Sequence, residues 1–64
     1  MNWKFKKNAE PVVCEDFWYD LNEGYIKPEK LIEDKEQLQK LSEAIKLVKS
    51  FEEALEENGL LEDY

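Results

Sequence analysis

Asp20-Leu21-Asn22-Glu23-Gly24-Tyr25-Ile26 sets three oxygen-bearing side chains ahead of a glycine and an aliphatic residue. Those are ingredients of a calcium loop of the EF-hand kind. The count fails. The glycine and the aliphatic residue each come one position early, and the bidentate twelfth position falls on Leu31. The same residues suit a hairpin turn better, because Gly24 takes positive φ at little cost. Cys14 is the one cysteine, and the sequence holds no His, no Arg, no Thr and only two Ser. That composition removes His-based triads, His metal sites and an Arg clamp on phosphate. Nothing is present to activate Cys14 as a nucleophile. No catalytic residue, metal ligand or cofactor is expected, and the chain reads as non-catalytic.

Charge is the next chemical signal. The 64 residues carry a formal net charge of −7. Glu52, Glu53, Glu56 and Glu57 fall where a helix ends, and there the macrodipole favours cations. Glu52 with Glu56, and Glu53 with Glu57, are like-charge pairs four residues apart. One reading is solubility for a small domain; the other is an acidic docking surface for a basic protein partner. Lys4, Lys6 and Lys7 form the one basic cluster visible along the sequence. Such a cluster blocks edge-to-edge pairing of a strand, and the overall charge disfavours nucleic acid. Trp18 stands among acids and is the second candidate for partner contact, because Trp is a favoured interface anchor. A covering N-terminal strand is the other reading of Trp18.

These side chains need elements to hold them. The chain is 42% apolar and 12% aromatic, too rich for a disordered acidic tail and short enough for one domain. Residues 1–27 read as a β region. Trp3 and Phe5 alternate with Lys4 and Lys6, Val12-Val13-Cys14 is β-favourable, and the 17–21 and 25–27 segments flank the turn at Gly24. In that register Phe17, Tyr19, Leu21 and Tyr25 share the core face. Asp16, Trp18, Asp20 and Ile26 share the other. Pro28 opens a short helical turn over 28–33. Asp34 offers an N-cap, and Gln37 completes a box-like cap. Apolar residues then recur at helical spacing and predict one long helix over 35–58. Asn58-Gly59 ends it in a left-handed cap with Leu60 turned back towards Leu55, and 59–64 form a tail. The expected fold is α+β: an antiparallel hairpin or three-stranded meander packed on one long C-terminal helix.

The apolar arc of that helix covers slightly over half its circumference. A single hairpin does not cover so wide an arc, and a chain this short has little spare apolar area. Leu38, Leu41, Ile45 and Val48 have seam spacing, so a homodimer through them is expected until Glu52 ends the seam. No stretch is long and apolar enough to span a membrane, and the lone cysteine fits a reducing, cytoplasmic setting.

The segment Asp16-Phe17-Trp18-Tyr19-Asp20-Leu21-Asn22-Glu23-Gly24-Tyr25-Ile26-Lys27-Pro28-Glu29 resembles one in small phage or prophage-type bacterial proteins of no assigned function. That resemblance implies a small accessory or inhibitor protein acting on other macromolecules. The functional expectation is therefore a protein–protein interaction module. Its alternative is a nucleic-acid-related role, as an acidic DNA mimic or through weak binding by the Lys4–Lys7 arm.

Overall fold

The computed structural model describes residues 2–63. Residue 1 of the expected β region and residue 64 of the expected tail lie outside them. The order of elements is β1 (Val12–Cys14), α1 (Phe17–Asn22), a 3-10 turn (Pro28–Lys30), α2 (Lys35–Leu41), α3 (Ile45–Glu57) and β2 (Leu61–Asp63). The protein is a small α+β fold. Its two strands pair in parallel, Val12 opposite Leu61 and Cys14 opposite Asp63. Parallel pairing needs a long crossover, and all the helices form it.

The expected antiparallel hairpin is not present: residues 17–22 are helix α1. Local capping chemistry outweighs aromatic strand preference here. Asp16 is extended, and its carboxylate accepts from the Tyr19 N–H at 3.2 Å, an N-cap bond. Phe17 and Leu21, four residues apart, then share the core side of the helix. Gly24 stops it at φ 83°. The Gly24 N–H donates to the Leu21 carbonyl, and the Tyr25 N–H reaches back to the Asp20 carbonyl at 2.9 Å. That pair of bonds is a Schellman cap. The expected β faces therefore come apart. Tyr19 and Tyr25 point to solvent, while Ile26, expected on the outer face, is buried.

The single helix over 35–58 is also corrected. At 1.5 Å per residue it would measure about 36 Å, whereas the longest extent of the whole molecule is 29 Å. The chain breaks at Ser42-Glu43-Ala44, and α2 and α3 fold onto one core. The Ser42 hydroxyl donates to the Gln39 carbonyl at 2.7 Å, and Ala44 returns to extended backbone before α3 begins. The break also divides the expected dimer seam between two helices. Leu41 and Val48 face inward and are buried, Leu38 packs partly against the core, and Ile45 alone stands out, 76% exposed. The wide apolar arc is covered from within the chain.

That covering comes from both chain ends. Phe51 is fully buried, with Trp3 edge-on at 5.4 Å, Phe17 at 6.2 Å and Phe5 stacked at 6.3 Å between ring centroids. The Trp3 indole N–H donates to Ser50 Oγ at 3.0 Å, so its polar edge is satisfied inside. Gln37 does not close a capping box. Asp34 caps α2 by accepting from the N–H groups of Glu36 and Gln37. The Gln37 side chain points elsewhere. Its Oε1 accepts the Lys4 N–H at 2.9 Å and its Nε2 donates to the Asn2 carbonyl at 2.7 Å. Further along that segment, the Lys4 carbonyl accepts from the Glu33 N–H, and the Lys6 N–H donates to the Leu31 carbonyl. Phe5 thus bridges Ile32 in antiparallel sense. Gly59, at φ 68°, ends α3 with the same Schellman bonds, Gly59 to Glu56 and Leu60 to Leu55. The turn sends Leu60 and Leu61 to the side of β1.

Two substitutions test this packing. Leu55→Ala empties a fully buried site and should lower stability by about 2–5 kcal/mol. Ile45→Gln should change stability by no more than about 0.5 kcal/mol, and it should sediment as the wild type does. Denaturant melts and analytical ultracentrifugation check both outcomes. A large shift for Ile45→Gln would restore the expected seam.

Candidate functional site

A shallow groove of about 600 Å³ lies between two stretches of chain. Residues 6–13 form one wall. Residues 25–31 form the other. The walls meet where the Lys6 N–H bonds the Leu31 carbonyl at 2.8 Å. Each wall has a local cause. A turn at Lys6–Ala9, closed by the Ala9 N–H on the Lys6 carbonyl, and then Pro11, lead the chain into β1. Opposite, the Gly24 cap returns the chain so that Ile26 plugs the core, and Pro28 opens the 3-10 turn that carries Lys27 and Lys30 at its ends. Ile26 and Leu31 are buried lining residues, and Val12 and Val13 of β1 add apolar surface.

The groove is basic in an acidic protein. Lys6, Lys27 and Lys30 line it against Glu10 alone. A smaller recess of about 310 Å³ shares Lys6 and Asn8 and adds Lys7 and Glu33. The basic cluster seen in the sequence therefore divides. Lys6 and Lys7 join this surface, whereas Lys4 lies 4.0 Å from Asp34 in a partly exposed ion pair of little energetic weight. Sequence reading missed the contribution of Lys27 and Lys30. They lie 21 and 24 positions after Lys6, and the antiparallel Phe5–Ile32 bridge that unites them carries no sequence signature.

Large apolar side chains also stand open around α1. Val13 is 55% exposed, Trp18 36%, Tyr19 57% and Tyr25 73%. Trp18 is the least exposed of the four, and Trp3 of the N-terminal segment occupies the core. Val13 and Tyr25 line the groove, and Trp18 and Tyr19 lie on the helix that precedes it.

The four candidate glutamates share the C-terminal half of α3. Glu53, Glu56 and Glu57 face solvent, Glu52 is half-buried, and the last turn carries no basic residue. Of the candidate seam, Leu38, Leu41 and Val48 belong to the core and its margin. Cys14 is buried in β1. Residues 20–26, with their near-match to a calcium loop, form the end of α1 and its cap. Among the described residues no group of three or more acidic or cysteine side chains is arranged to hold a metal ion. None of their helices is long and apolar enough to cross a membrane.

Replacing Glu52, Glu53, Glu56 and Glu57 together by Gln should raise stability by about 1 kcal/mol, since dipole and like-charge repulsion are both relieved. The gain should shrink in high salt. Melting curves at two ionic strengths read it, and a loss of stability would mean that these carboxylates make favourable contacts in the fold. No family model matches the chain, and neither a curated protein nor a solved structure is significantly similar to it.

Proposed function

We propose that this protein is a small, non-catalytic binding module that acts by contact with another protein. One observation carries the reading: Val13, Tyr19 and Tyr25 are left open, and Trp18 partly open, within a single stretch of a chain whose Trp3, Phe17 and Phe51 are buried. Folding gains by covering such side chains, and a domain of this size has few to spare. Exposed aromatics gathered in one region are a mark of interaction surfaces. The chemistry of the groove fits the same role. Lysines, a tyrosine and two valines can hold a ligand, but they offer no nucleophile paired with a base. The resemblance of segment 16–29 to phage or prophage-type accessory proteins agrees with this reading, as does a cytoplasmic setting for Cys14.

Affinity capture from a bacterial lysate, read by mass spectrometry, tests it. The Trp18→Ala, Tyr19→Ala double variant should remain folded by circular dichroism. It should retain a captured protein at least about tenfold less well than the wild type, the loss expected when one strong interface anchor is removed. If wild type and variant capture the same proteins in equal amount, the open aromatics do not serve binding and the reading fails.

A further inference from the structure

We propose that the lysine-lined groove takes an extended acidic segment of a partner protein, added as a strand along the outer edge of β1. The inference rests on the binding-module reading and names the partner's chemistry. Three independent features converge on it.

The first is backbone. β1 has one sheet neighbour among the described residues, β2. The Val12 N–H donates to the Leu60 carbonyl at 2.7 Å. In a parallel ladder alternate residues bond to opposite sides. Val13 therefore turns its N–H and C=O away from β2, and Val13 lines the groove. An open strand edge is a template for another chain. Strand addition draws affinity from such main-chain groups and specificity from the side chains beside them.

Charge is the second. Three lysines and one glutamate line the groove of a chain whose net charge is −7. The lining is thus opposite in sign to the molecule as a whole, and it favours an acidic ligand.

The third is size and apolar contact. About 600 Å³ falls within the usual range of about 300–1,000 Å³ for binding clefts. Tyr25 and Val13 stand open beside buried Ile26 and Leu31. An alternating acidic and apolar peptide matches that lining, its carboxylates towards the lysines and its apolar side chains on Tyr25. A nucleic acid fits less well. Its backbone has no N–H and C=O to pair with Val13 as a strand, and the chain has no Arg to clamp phosphate.

The probe is a short fluorescent peptide of alternating Glu and Val, titrated into the full chain with Lys–Val and single-stranded DNA probes of similar length in parallel. Binding of the Glu–Val peptide alone is expected, weaker in high salt, with the Val13 amide among the shifted NMR resonances. Lys27→Glu with Lys30→Glu should weaken it at least about tenfold at unchanged melting temperature. N-methylation of the peptide backbone should weaken it similarly. Four results would overturn the proposal: no binding of the Glu–Val peptide, indifference to the charge reversal, equal binding of the N-methylated peptide, or tighter binding of DNA. If Trp18- and Tyr19-dependent capture persists in any of these cases, the groove assignment alone falls. If that capture is lost too, the binding-module reading falls with it.

Discussion

The rest of this structure depends on one side-chain amide. Gln37 reaches out of α2 and bonds the peptide groups of Asn2 and Lys4, acceptor to donor and donor to acceptor. It stands in for a neighbouring strand beside residues 2–4, continuing the edge along which the backbone of Glu33 and Leu31 bonds Lys4 and Lys6. A buried amide with unmet bonds costs about 1–3 kcal/mol, so each partner fixes the other. With the segment held, Trp3 and Phe5 reach Phe51 and close the core. Lys6 is held against Leu31, and that contact joins the two walls of the groove. The surface proposed for binding therefore inherits its shape from an interaction inside the fold.

The chain's two glycines divide a second task. Both have positive φ, and both end a helix with the same two backbone bonds. Gly59 directs Leu60 and Leu61 towards β1, so the C-terminus completes the sheet. Gly24 directs Tyr25 and Ile26 to the groove, burying one and exposing the other. A side chain at either position would meet open space. Glycine is required there for backbone conformation, because L-residues rarely adopt positive φ.

Legibility followed the range of each interaction. The alternation of Trp3 and Phe5 with Lys4 and Lys6 was readable, and so were the Asp34 cap and the turn after Asn58, because each is local. The 17–22 segment misled. Phe, Trp and Tyr favour strands, and Asp16 and Gly24, which make it a helix, suit a hairpin equally well when read alone. The break at Ser42–Ala44 was hidden because the apolar rhythm runs through it; only the dimensions of the finished core require it. The parallel pairing of Val12 with Leu61 spans nearly the whole chain and left no local trace. The groove was invisible for the same reason. The open character of Trp18 was half seen, as one of two readings, and the acidic end of α3 was plain from spacing alone.

Gln37→Glu tests the central dependence most directly. The substitution keeps shape and one acceptor, but an ionised carboxylate cannot donate to the Asn2 carbonyl. Two acceptors then face each other in a buried site, which raises the carboxyl pKa in the folded state. Protonated, the same group can donate. The variant should therefore be close to the wild type below the unfolded pKa of about 4.3. It should fall behind as pH rises through the higher folded value. The deficit at neutral pH should be about 1–3 kcal/mol, with faster hydrogen exchange at the Lys4 and Lys6 amides. A difference from the wild type that is the same at pH 4 and pH 7, with both amides still protected, would contradict the account.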